Sequence, residues 1–302
     1  MRTLGALLAA LALTACAGEA KSPEASPSSA AATSQTPTPG PLEPTTPPPA
    51  PLGELTFLAL GDSLTTGFAS CETVVACEAV SWALGSDPEV DSIASRLAEA
   101  GFAVVPVPAA REGITMSGGA ALLDEALATP GAPAAADLDL VTVMFGANDV
   151  CGDSAAEMTT PQAFEHSLTG LLDQLSAAAP EADVLVLSIP NLTGVYEAGR
   201  HDPTASERWK LGQCGTILGG DDAVRAQAAT RLQELNAVIA ATCSTSATCH
   251  TDDGAIAASD VTLEWLSPVD YFHPSTQGQT LLAQAAWPSV ATALGLEQEA
   301  GT

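Results

Sequence analysis

Apolar runs and amphipathic stretches alternate along this chain. Runs at about 55–60, 103–107, 139–145 and 183–189, with another near 259–264, are short, apolar and bounded by turn residues, the pattern of strands buried on both faces. Between them a period close to 3.6 predicts helices over 91–100, about 117–128, 160–179, 221–242 and 275–293. Punctuation supports these limits: Gly101, Thr129-Pro130 and Pro180 stop helices, Thr160 precedes a proline at a first helical position, and Ser275 opens the last one. Strands that alternate with helices predict an α/β fold, a three-layer, doubly wound, flavodoxin-like parallel sheet. Ligands in such sheets sit outside the carboxyl ends of the strands.

The first fifty residues do not join this pattern. Met1-Arg2 is a short basic start, and Leu4 to Leu13 is an apolar core too short to span a bilayer, as in an export signal. Leu13-Thr14-Ala15-Cys16 resembles a bacterial lipobox, which implies a signal peptide over 1–15 and a lipid-bearing Cys16; the plainer alternative is a secretory signal with an incidental cysteine. A multiply acylated cysteine, at about 0.8 kcal/mol per buried methylene, would hold the protein to a membrane surface. Residues 16–52 are Pro, Ser, Thr and Ala with few large apolar side chains, the composition of a linker. Residues 53–302 read as one domain, without internal repeats, and a monomer is expected.

Charge and cysteines narrow the setting. A formal net charge of -27 with no basic cluster excludes nucleic acid as a partner. With Cys16 assigned to lipid, Cys71, Cys77, Cys151, Cys214, Cys243 and Cys249 remain, an even set suited to three disulfides in an oxidising compartment. Six cysteines allow fifteen pairings. Short separations favour Cys71 with Cys77 and Cys243 with Cys249, leaving Cys151 with Cys214. No Cys-x-x-Cys spacing occurs, and His250 beside Cys249 has no second pair, so no metal is expected.

Candidate chemistry lies where strands end. Gly61-Asp62-Ser63-Leu64 closes the first apolar run and places a hydroxyl at a strand-to-turn exit, a position suited to a nucleophile. A serine needs a base, and the base needs an orienting carboxylate. In Asp270-Tyr271-Phe272-His273 the three-residue spacing lets the Asp270 carboxylate reach one ring nitrogen of His273 while the other points to Ser63. Developing negative charge needs donors. Asn148 in Gly146-Ala147-Asn148-Asp149 offers an amide, Gly113 a backbone N–H with no side chain in the way, and Ser63 its own N–H. Acyl transfer of this kind needs no cofactor.

These four blocks, taken in order, resemble the SGNH (GDSL) hydrolases, a family of serine esterases and lipases, over essentially the whole stretch from Leu55 to Leu296. The resemblance implies that Ser63 is the nucleophile, that Asp270 and His273 complete a triad, and that Ser63, Gly113 and Asn148 form an oxyanion hole. The chain departs from the pattern at Val107-Pro108-Ala109-Ala110, where members often carry an asparagine ahead of the glycine. Ser81 to Asp87, Val141 to Cys151 and Phe272-His273-Pro274-Ser275 are similar to the phospholipase B branch, which implies lipid or other small-molecule esters as substrates. A carbohydrate O-deacetylase on the same residues and an inactive binding lipoprotein are the competing readings.

Other residues carry less. His166, His201 and His250 lack a convincing carboxylate except for Asp202 beside His201, in a loop that favours solvation. Asp252-Asp253-Gly254 lacks the spacing of a twelve-residue calcium loop. The insertion from about 191 to 220, with Trp209 and Cys214, is of a size often found in lids or substrate walls, and equally suits a loop packed down and stapled by its cysteine.

Overall fold

A computed structural model describes residues 52–296, which belong to one compact unit. The expected signal peptide, Cys16 and nearly all of the linker lie outside the described residues. Five parallel strands, β1 (Gly53–Gly61), β2 (Phe102–Ala110), β3 (Leu140–Met144), β4 (Asp183–Val186) and β5 (Cys249–Thr251), form one sheet in the order β2-β1-β3-β4-β5. This is the flavodoxin-like order the sequence predicts. β1 and β3 are central, and Leu55, Phe57, Leu58, Leu60, Leu140, Val141 and Val143 are all buried, which is why these runs read as continuously apolar.

Helices cover both faces. α1 (Ile93–Glu99) packs on β2 and α8 (Thr276–Ala293), which also reaches β4 and β5. On the other face α2 (Gly119–Ala128) lies over β1 and β2, followed by α4 (Pro161–Ala178) and α7 (Asp222–Cys243); between them in the chain come α3 (Ala147–Val150), α5 (Leu192–Gly199) and α6 (Pro203–Trp209). The starts are set by side chains. Ser92, Thr160, Asp221 and Ser275 each accept the backbone N–H three residues on, satisfying a donor the helix leaves open. No helix among the described residues is long and apolar enough to cross a membrane.

β2 is an edge strand carrying Pro106 and Pro108. Backbone nitrogens alternate in direction along a strand, and Arg111, of opposite parity, donates its N–H to Gly61 at 3.0 Å across the pair. The two proline nitrogens therefore face away from β1, where no ladder bond is lost.

One expected element is corrected. Residues 259–264 form turns and irregular chain, and the fifth strand is Cys249–Thr251, paired with Val184–Val186 of β4. Val261 and Leu263 made the later run look apolar, but Leu263 is 40% exposed. The true strand is three residues long and half-buried, too short for periodicity to show. Cys243–Cys249 ties it to the end of α7, and Cys71–Cys77 and Cys151–Cys214 complete the expected pairing.

Candidate active site

Ser63 stands two residues beyond β1 at the carboxyl end of the sheet, and its Oγ lies 3.0 Å from His273 Nε2. His273 Nδ1 meets Asp270 Oδ2 at 2.6 Å, and Asp270 Oδ1 accepts the backbone N–H groups of Phe272 and His273 at 3.0 and 3.1 Å. All three side chains are buried. Phe68 and Phe272 each set an edge against the imidazole at 4.9 Å, which restricts its rotation and keeps water from its flanks. The predicted serine, histidine and carboxylate thus come together in one hydrogen-bonded chain.

Ser63 and His273 are 210 residues apart, and a polar seam holds their loops in register. Fully buried Gln279, on the first turn of α8, accepts the Trp82 N–H and donates to Leu64 O and Ser70 Oγ. Ser70 Oγ donates to Pro274 O, and Ser267 Oγ donates to Ala69 O. Both ends of the Gln279 amide are thus paired, so the seam fixes the approach of the two loops as apolar contact alone would not.

The turn after β3 supplies Asn148 and Asp149 to the same site. Gly146, at φ 122°, ends β3's exit in a conformation that glycine adopts readily, and a Cβ there would lie 2.3 Å from Ile189 Cδ1. Asn148 Nδ2 donates to Ile114 O at 3.0 Å and to Asp62 Oδ2 at 3.2 Å, while Asp149 Oδ2 accepts the Met116 N–H at 2.9 Å. Those bonds grip 114–116, and Thr66 Oγ1 donates to Glu112 Oε1 on the other side. Gly113 is held between, exposed, at φ 73°. The N–H groups of Ser63 and Gly113 have no acceptor among the described residues, which leaves both available to a ligand. Asn148 must share or release one of its present acceptors to join them.

Asp62 and Asp149 were not singled out in the sequence beyond their place in the two motifs. Burial, reinforced by the charge of Asp149, pushes the Asp62 carboxyl up to about 7 against the lowering effect of bonds from Leu64 and Asn148. Burial likewise raises Asp149, opposed by the Met116 N–H. The folded state therefore favours protonated Asp62, and the stability this group contributes is full below about pH 4 and lost as the pH rises toward 7. Asp62→Asn is expected to gain on the wild type across that window, by at most about 3 kcal/mol after deduction of the hydrogen bond lost where an amide NH2 replaces one carboxylate oxygen, and to hold a constant advantage above it. Melting temperatures of both proteins from pH 4 to 9 check this; a difference that does not vary with pH would remove Asp62 as its source.

The remaining candidates have other occupations. His166 and His201 are exposed, and Asp202 caps α6 through Thr204 and Ala205. His250 Nε2 meets Asp183 Oδ1 at 3.0 Å at the far sheet edge. Asp252 takes bonds from Ser188 N, Ser188 Oγ, Gly254 N and Ile256 N, a clasp between loops. The 191–220 insertion folds into α5, α6 and a π turn (Gly215–Gly219), with Trp209 buried.

Known proteins share the fold that carries this site. The model of the GDSL-like Lipase/Acylhydrolase family matches residues 59–281. Among solved structures, TesA shares 20% identity, with 79% of this chain and 99% of that one covered and a TM-score of 0.51. The extracellular lipase of Streptomyces rimosus shares 19%, with 78% and 99% covered and a TM-score of 0.51. No curated protein matches the chain significantly. The family match spans the sheet from β1 to α8 and includes all four blocks, so this chain belongs to the GDSL-like lipase/acylhydrolase family, the SGNH hydrolases.

Proposed function

We propose that the protein is a serine hydrolase of carboxylic esters, acting on lipid acyl esters through an acyl-enzyme at Ser63, and that it works at a membrane surface, exported and anchored through Cys16. The observation that carries the chemistry is the unbroken chain Ser63 Oγ, His273, Asp270 at 3.0 and 2.6 Å. The likeness of the 81–87, 141–151 and 272–275 segments to the phospholipase B branch supports the substrate class, and the lipobox supports the anchor.

In the forward step His273 Nε2 takes the Ser63 hydroxyl proton as Oγ bonds to the ester carbon. The carbonyl oxygen becomes an oxyanion within reach of the Ser63 and Gly113 N–H groups and, once turned, the Asn148 amide. Asp270 holds the ring tautomer and stabilises the imidazolium. Collapse breaks the bond to the leaving oxygen, which departs as the alcohol with the proton from His273. Water, deprotonated by the same nitrogen, then attacks the acyl carbon, and the acid leaves as Ser63 recovers its proton.

A fluorophosphonate should label Ser63 in the folded protein, and p-nitrophenyl esters from acetyl to palmitoyl, set beside a phospholipid and an acetylated sugar, should show turnover of the longer acyl chains and the phospholipid. An unlabelled Ser63 would overturn the hydrolase reading in favour of a binding protein. Labelling with turnover of the acetylated sugar alone would move the substrate to carbohydrate esters.

A further inference from the structure

Trp209 lies outside the four motif blocks, yet its indole Nε1–H donates to the backbone carbonyl of Tyr271 at 2.9 Å, between Asp270 and His273. Tyr271 has φ 57°, a left-handed conformation that costs a bulky residue about 1 kcal/mol or more and persists only where its surroundings hold it. The Tyr271 N–H donates to Ser267 O at 2.8 Å, and no donor but Trp209 reaches its carbonyl among the described residues.

The indole is itself held by its neighbours. Tyr196 stacks on it at 5.9 Å, and Gly199 lets it approach so closely that a Cβ there would lie 2.6 Å from Cζ2. The same insertion is joined to the segment just past Asn148: Cys214 pairs with Cys151, Thr216 Oγ1 donates to Val150 O at 2.7 Å, and Thr216 N donates to Gly152 O at 2.8 Å. A single segment therefore touches both halves of the site, the Asn148 side covalently and the Asp270–His273 side through one N–H.

We propose that Trp209 is a positioning residue for the acid–base pair: its indole N–H fixes the Tyr271 carbonyl, and so the angle at which Asp270 meets His273 and His273 meets Ser63. The inference rests on the ester hydrolysis proposed above. Trp209→Phe keeps an aromatic ring and removes the donor. Gly199→Ala keeps the donor and displaces it, while raising helix propensity.

Both variants are expected to lose about tenfold in kcat with KM held within about twofold, since ground-state binding is untouched. The downfield proton resonance of the Asp270–His273 bond should shift or broaden in both. Folded variants with wild-type kcat and an unchanged resonance would overturn the proposal, and if Trp209→Phe does not fold, Gly199→Ala decides alone. The resonance needs no turnover. A wild type that hydrolyses no ester while the resonance still responds would sink the function and leave the positioning role standing.

Discussion

Replacing Ser63 with alanine is expected to remove ester hydrolysis almost entirely, by roughly a million-fold in kcat, with the fold intact. The size follows from the arrangement. Without Oγ there is no atom to form the acyl-enzyme, and His273 loses the proton donor 3.0 Å away. What survives is the contribution of the oxyanion donors to direct attack by water, about 10³- to 10⁴-fold over the uncatalysed reaction. Ser63 side-chain packing is slight and its backbone N–H and carbonyl remain, so the melting temperature should hardly move. Turnover of a p-nitrophenyl ester by the purified variant, corrected for contaminating esterase through phosphonate titration, is the measurement. A residual rate above about one per cent would mean that another residue attacks the ester.

Replacing Asn148 with alanine should lower kcat by about 100- to 1000-fold, equivalent to about 2.7–4 kcal/mol of lost transition-state stabilisation, with little change in KM. The kinetic split matters because Asn148 has a second role. Its amide also holds Ile114 O and Asp62 Oδ2, and removing both bonds should cost about 1–2 kcal/mol of stability. A lower melting temperature alone would therefore not locate Asn148 in the oxyanion hole. Loss of kcat at temperatures where the variant is fully folded would. An effect below about fivefold would assign Asn148 to bracing the Gly113 loop and leave charge stabilisation to the two backbone N–H groups.

What could be read in the sequence was whatever repeats with a regular period or recurs as a compact motif. Strands β1, β3 and β4 were visible because each is buried on both faces, β2 because its valines form a short apolar run after Gly101, and α1, α4, α7 and α8 because a Ser, Thr or Asp stands at each start. β5 was not, since three half-buried residues carry no period and their placement depends on β4 and the end of α7. Ser63, His273 and Asp270 could be paired because their chemistry is local to two short motifs. Gln279, Trp209 and the buried Asp62 acquire their roles from contacts with residues up to 215 positions away. Three glutamines, Gln277, Gln279 and Gln284, stand in the last helix, and nothing in the sequence marks the second as the centre of the polar seam. Nothing in the sequence around Trp209 indicates that its N–H turns toward Tyr271.

The two flanks of the sheet share a further property. At one, the proline nitrogens of β2 leave gaps in the row of donors that a neighbouring molecule would need; at the other, β5 offers three residues before the chain turns away. Neither margin presents the long, unbroken row of donors and acceptors on which a further strand is most readily laid down, so both ends of the sheet are poor seeds for intermolecular strand pairing.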